Sequence, residues 1–387
     1  MKQNVISFIS TIKKEILELN KFLYSNPENC FNEYNTSKYI KDLLIKHNFL
    51  VEDKFEQIPT AFYAKMGSGH PYICYLCKYT SGDESGHIFG NNSNAAISVG
   101  AAIALGSVIE KIGGSVVIIG CPGKYSNGSE IIMTHEKVFE EIDVIFAPHV
   151  DNSNAESGTS MAMVPLEINY EFNNVKSNNP LKKTALDGCL YTMNFINDII
   201  KQSCNECYID HLCINSANNI HELPTRATAK FEIKSKNIRQ SETIEENIRT
   251  YIKSIQPLID ITYNISLYEL PCRELITNKT LSRIFSNNLK ECGIINVEKP
   301  KNVVYPLGIG TVSHTTPTIY PSISIVEDKN ISCPSEDFKN ATISSFAEDR
   351  IIKAIAALSI TGIDFIERSD LVTEITLELN DTLNSQR

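Results

Sequence analysis

The 387-residue sequence predicts an α/β fold interrupted by a smaller α+β domain. Three observations carry that prediction. Up to Pro165, apolar positions switch repeatedly between helical and strand spacing. From Leu166 to Tyr268 the order becomes strand, helix, strand, strand, helix, strand, the split βαβ or ferredoxin-like arrangement. Past Leu270 the earlier alternation resumes. Segments 1–165 and 271–387 are therefore expected to build one discontinuous α/β domain of catalytic type, with 166–270 as a smaller inserted domain.

The elements follow in order. Ile6, Ile9, Ile12, Ile16 and Leu19 form one stripe of a helix from Val5 to Tyr24, which "SNPENCFNEY" ends. A second helix spans "NTSKYIKDLLIKHNF", with Thr36 or Ser37 as its N-cap. Strands are expected at Thr60 to Lys65 and Tyr72 to Lys78, then a helix over Ala95 to Ile112, the strand "SVVIIGCP", a helix after Gly128 and the strand "DVIFAPH". In the insert, "LEINYEF", "YIDHLCIN", "ATAKFEIKS" and "DITYNISLY" read as strands, with helices at Ala185 to Gln202 and Thr243 to Ile255. Helices at Leu281 to Cys292 and Ala347 to Thr361 complete the last segment.

Composition narrows the function. A net charge of −10 argues against nucleic acid as a partner, because binding phosphates needs clustered Lys and Arg. Lys and Glu interrupt the apolar pattern of the first residues, and no run is read as a membrane span, so a cytoplasmic location is expected and a membrane partner is not. The eleven cysteines stand mostly singly and read as reduced thiols. "CNECYIDHLC" gathers Cys204, Cys207, His211 and Cys213, but its spacing fits zinc poorly. Free cysteines where a helix gives way to a strand are expected there, with Cys204 and Cys207 ending the helix. Ser313 beside His314 is only a sequence neighbour, and nothing near Cys30 or Cys333 predicts a reactive thiol.

The most informative stretch is "KYTSGDESGHIFGNNSNAAISVGAAIAL", Lys78 to Leu105, a strand end, a glycine-rich loop and a small-residue helix. Together with "NPENCFNEY", "PTAFYAKMGSG", "SEIIM", "TALDG" and "VSHTTPTIYP", in that order, it resembles metallopeptidase family twenty, the aminoacylases, hippurate hydrolases and p-aminobenzoyl-glutamate hydrolases. The resemblance runs over nearly the whole chain. It implies a zinc-exopeptidase-like α/β/α sandwich, two bridged zinc ions that activate a water, and a Glu base that helps cut an amide bond.

Carried over residue by residue, the resemblance finds most of that machinery replaced. The loop's orienting Asp falls on Thr80, its Cys ligand on Phe89 and its His ligand on Asn91. The Glu-Glu pair of base and ligand falls on Lys124 and Tyr125, which puts a cation where metals need an anion. His149 keeps a ligand position, whereas Asn330 to Phe338 lacks the last His. His87 matches a loop His with Asp83 and Glu84 near it, residues ordinarily solvated, and His314 matches the family's "VSH" position. In the insert, Asn178 takes the place of the lid His, Lys234 that of an Arg gripping the substrate carboxylate, and Asn219 keeps an Asn. Lys lacks the bidentate fork of Arg.

The expectation is a non-catalytic relative with no metal or other cofactor. Its vestigial pocket is Thr80, His87, Phe89, Asn91, Lys124, Tyr125, His149 and His314. It is expected to bind a small amide or amino-acid-like ligand, and to form a homodimer, or pair with an active paralogue, through the inserted domain. The alternative is an active amidohydrolase or dipeptidase that hydrolyses N-acyl amino acids or dipeptides at a rearranged site.

Overall fold

In the computed structural model, residues 1–81, 85–124, 126–172, 184–202, 206–216, 224–259 and 261–385 are described. The chain divides into two compact units. The first comprises 1–159, 275–303 and 311–387, and the second comprises 160–274 with 304–310. The second is wider than the expected insert by a few residues at each end and by the returning segment 304–310.

The first segment contains α1 (Lys2–Ser25), α2 (Tyr34–Lys46), β1 (Leu50–Asp53), β2 (Phe62–Ser68), β3 (Tyr72–Cys77), α3 (Asn91–Ile112), β4 (Gly114–Gly120), α4 (Ser129–His135), β5 (Val144–Phe146), β6 (His149–Asp151) and β7 (Ala155–Ser157). The insert follows as β8 (Ala162–Phe172), α5 (Ala185–Gln202), β9 (Cys207–Asn215), β10 (Arg226–Ser235), α6 (Ile238–Ile259) and β11 (Ile261–Leu267). The chain closes with α7 (Lys279–Glu291), β12 (Glu298–Lys301), α8 (Gly308–Ser313), β13 (Thr318–Ile319), β14 (Ser322–Ser324), α9 (Glu336–Ala341), α10 (Ser345–Glu367) and α11 (Ser369–Ser385).

The first unit has a six-stranded sheet in the order β1-β2-β4-β3-β5-β13. The pairs β4 with β3, β3 with β5 and β5 with β13 are parallel. A second sheet runs β12-β7-β14-β6. Strands β3 and β4 are almost continuously apolar and buried, as parallel strands covered on both faces must be. Helix α3 packs against them, and α1 and α10 pack on α3. Gly100 permits that approach, since a Cβ there would lie 2.4 Å from Ile355 Cδ1. By length and composition α3 is the one described helix apolar enough to cross a membrane, contrary to the sequence reading, and most of it is buried within the protein.

In the second unit the sheet order β11-β8-β10-β9 is antiparallel throughout. With α5 and α6 packed on it, this is the expected ferredoxin-like arrangement.

Several local expectations are corrected. In α1 it is Val5 that is buried, while Ile6 is 39% exposed. Helix α2 begins at Tyr34, so Thr36 and Ser37 lie inside its first turn rather than capping it. The Glu28 carboxylate caps it instead, accepting from Asn35 N at 3.0 Å and Thr36 N at 2.7 Å. Cys207 opens β9 rather than ending a helix, and His211 occupies a left-handed conformation (φ 51°) where the β9–β10 register shifts.

Candidate active site

Thr80 leaves the carboxyl end of β3 and meets the buried carboxylate of Glu33. Its hydroxyl donates to Glu33 Oε1 and accepts from Gly123 N at 2.9 Å. Gly123 N also reaches Glu33 Oε1 at 3.3 Å, and Thr60 Oγ1 donates to Oε2 at 2.9 Å. Glu33 has no solvent exposure, so these donors replace its water shell. The carboxylate thereby joins the entry to α2, the β3 loop and the β4 turn.

Asn91 is committed in the same manner. Its Nδ2 donates to the Thr80 carbonyl at 2.8 Å, its Oδ1 accepts from Asn94 Nδ2 at 2.9 Å, and Asn94 Oδ1 accepts from Val150 N at 2.7 Å. An amide relay thus runs from the loop to β6. Gly90, before it, is left-handed (φ 71°), and a Cβ there would lie 2.3 Å from Val150 Cγ2. Phe89 is half-buried.

Two charges missed by the sequence reading occupy the end of β4. Lys78 Nζ lies 2.6 Å from Glu130 Oε1, with side-chain exposures of 14% and 1%. Lys78 also donates to the Lys124 carbonyl at 3.2 Å. Gly128 leaves room for the pair, because a Cβ there would stand 2.1 Å from Glu130 Oε2 and 2.4 Å from Lys78 Nζ. Lys124 itself is exposed, and the enclosed charges are Lys78 and its counter-ion. The signal was present as an acid at the start of the helix after Gly128.

His149, on β6, is buried and stacks on Tyr320 with ring centroids 4.9 Å apart. Burial pushes its pKa down to about 4, with Asp151 opposing. His87 is also buried, not solvated as the loop reading expects, and burial pushes it down to about 4 while the Leu23 carbonyl opposes. His314 is partly exposed just after α8, and the neighbouring Ser313 hydroxyl is engaged, accepting from Ile276 N at 2.9 Å. Burial, followed by the charge of Glu33, pushes the Cys30 thiol up. Burial carries Cys333 up to about 12. Neither thiol has the environment of a thiolate nucleophile. Asp83, Glu84, Tyr125, Asn178, Cys204 and Asn219 lie outside the described residues.

The two histidines make stability pH-dependent. Folded pKa values near 4 lie below the ordinary ~6.5, so between these values the unfolded chain binds protons that the folded chain does not. Their contribution is full above pH ~6.5 and declines as pH falls towards ~4, by about 3 kcal/mol for His87 alone. Urea unfolding between pH 7 and 4.5 is expected to show this decline, flattened in His87→Gln. An equal slope in the variant would remove His87 as its source.

In the second unit Lys234 is buried and already paired, with its Nζ 2.7 Å from Asp210 Oδ2 and 2.9 Å from Glu232 Oε2. Burial works against its charge, but the two carboxylates more than offset this and raise its pKa. His211 Nδ1 lies 2.9 Å from the same Glu232 oxygen.

No family profile matches the chain. The mouse (Mus musculus) Xaa-Arg dipeptidase is 20% identical over 407 aligned residues, covering 100% of this chain and 94% of the mouse protein. One of the subunits of the p-aminobenzoyl-glutamate hydrolase of Escherichia coli is 23% identical over 299 residues, covering 70% of this chain and 61% of that protein. Among solved structures, the aminobenzoyl-glutamate utilization protein of Klebsiella pneumoniae superposes with TM-score 0.71 at 10% identity, covering 92% of this chain and 98% of that one. A dinuclear metal-binding peptidase of family twenty from Bacillus subtilis gives 0.64 at 12%, covering 90% and 98%. The chain is thus similar in sequence to a dipeptidase and an amidohydrolase, and it shares the fold of a peptidase of family twenty.

This likeness corrects the expectation that no metal is involved. A structural neighbour is described as dinuclear and metal-binding. In this chain Asp210, His211 and Glu232 bring three potential ligand atoms within 4.8 Å of one another. At the two loop positions that the resemblance aligns with metal ligands, Phe89 offers no donor atom and Asn91 only an amide, which do not fit a zinc pair.

Proposed function

We propose that this amidohydrolase- and dipeptidase-like protein binds an amide or amino-acid-like ligand in its inherited cleft without hydrolysing it. One observation carries the reading: the end of the β3–β4 pair is filled by closed hydrogen-bonding partners. Thr80 is spent on Glu33, Asn91 on Asn94, and one oxygen of Glu130 on Lys78. A hydrolytic base must be free to take a proton from water. Glu33 instead receives three donors.

The second reading, an active hydrolase with a rearranged site, is favoured by the names of the relatives. Purified protein equilibrated with excess zinc or manganese and desalted would be assayed for metal content and for turnover of an Xaa-Arg dipeptide, p-aminobenzoyl-glutamate and N-acyl amino acids. The expected result is no turnover above buffer together with saturable binding of at least one of these compounds. Metal-dependent turnover would establish the second reading instead.

The proposal includes a cytoplasmic homodimer, or pairing with an active paralogue, through the sheet edge at β9. That strand exposes Leu212 and Ile214, and among the described residues β10 is its one neighbour in the sheet. Light scattering at the chain mass, with no larger species on adding a paralogue, would dispose of it.

A further inference from the structure

A cavity of about 510 Å³ opens in the first unit among the loop after α7, the end of β14 and the start of α10. None of the loop or histidine positions discussed above lines it. Arg350 and Lys329 bring two cations to its wall, Glu327 one acid, and Phe346, Ile295 and Val326 an apolar surface. Its volume lies in the range of small-molecule sites.

Arg350 is the unusual member. Its guanidinium lies over the Phe346 ring, 4.6 Å from the centroid. Among the described residues its Nε is buried and has no hydrogen-bond partner. The neighbouring acids on α10 are engaged elsewhere, Glu348 with Lys21 at 2.7 Å and Asp349 with Lys353 at 2.8 Å. Lys329 is bound to Glu298 at 2.7 Å. A buried, unmatched guanidinium N–H is costly unless an acceptor meets it, and its planar fork suits the two oxygens of a carboxylate or phosphate.

We infer that this cavity is a binding site for a small oxyanion-bearing molecule, with the oxyanion on the Arg350 fork and any apolar body against Phe346 and Ile295. It is separate from the inherited cleft and does not depend on the reading proposed for it.

Calorimetric titration of the full chain with inorganic phosphate, and separately with benzoate, tests the inference and distinguishes the two oxyanions. Saturable binding of either, weakened about tenfold or more in Arg350→Gln and partly retained in Arg350→Lys, is expected. Phe346→Leu, which keeps the guanidinium but removes its support, is expected to weaken binding less than Arg350→Gln. The absence of saturable binding for both probes would overturn the assignment. So would binding unchanged in folded Arg350→Gln, or in Phe346→Leu and Arg350→Lys should that variant not fold.

Discussion

Lys78→Met is expected to lower unfolding free energy by about 3–5 kcal/mol, the range for stripping one partner from a buried ion pair. Glu130 is only 1% exposed, one of its oxygens lies 2.6 Å from the lysine, and the other has no hydrogen-bond partner among the described residues. Methionine keeps the length and apolar stem of lysine, so the cost isolates the lost charge. Glu130→Gln alone is expected to cost less, because Lys78 retains 14% exposure and the Lys124 carbonyl as an acceptor. The double variant is expected to recover most of the loss, since neither charge is then stranded. The chain has no tryptophan, so urea unfolding would be followed by circular dichroism. A cost for Lys78→Met below about 1 kcal/mol, the value of an exposed pair, would show that the pair is hydrated and not enclosed.

That ion pair marks where the sequence was legible and where it was not. The apolar runs of β3 and β4 and the long stripe of α1 announce themselves, because burial on both faces of a strand or one face of a helix leaves a period. Strands β13, β14, β6 and β7 span two or three residues, too few to carry one. Carrying over motifs by position registers what replaced a residue, so it found Lys124 and Thr80. It does not see a charge supplied from elsewhere in the chain. Glu130 arrives six residues past Lys124, and Glu33 arrives from the α2 entry, brought there by the fold. The capping of α2 by Glu28 escaped for the same reason. The bonding of the loop's side chains was not readable from their positions alone.

Thr80→Asp, which installs the residue that the resemblance implies there, is expected to destabilise the protein by about 3–5 kcal/mol, through two carboxylates forced together in a buried site. Threonine suits position 80 because its hydroxyl donates to Glu33 while its oxygen accepts from Gly123 N. An ionised aspartate has no proton to donate. Thr80→Val, which removes the hydroxyl without adding charge, is expected to cost about 1–3 kcal/mol, the penalty for an unmet buried acceptor. Glu33→Gln combined with Thr80→Asp separates the effects, since a neutral amide can donate to the new carboxylate. That double variant is expected to be more stable than Thr80→Asp alone, and the coupling measured by the cycle is the repulsion itself. If Thr80→Asp is as stable as the parent, the Glu33 network does not hold this loop closed. Position 80 then has room for an orienting carboxylate, and a hydrolytic centre at the end of β3 becomes the better account of the cleft.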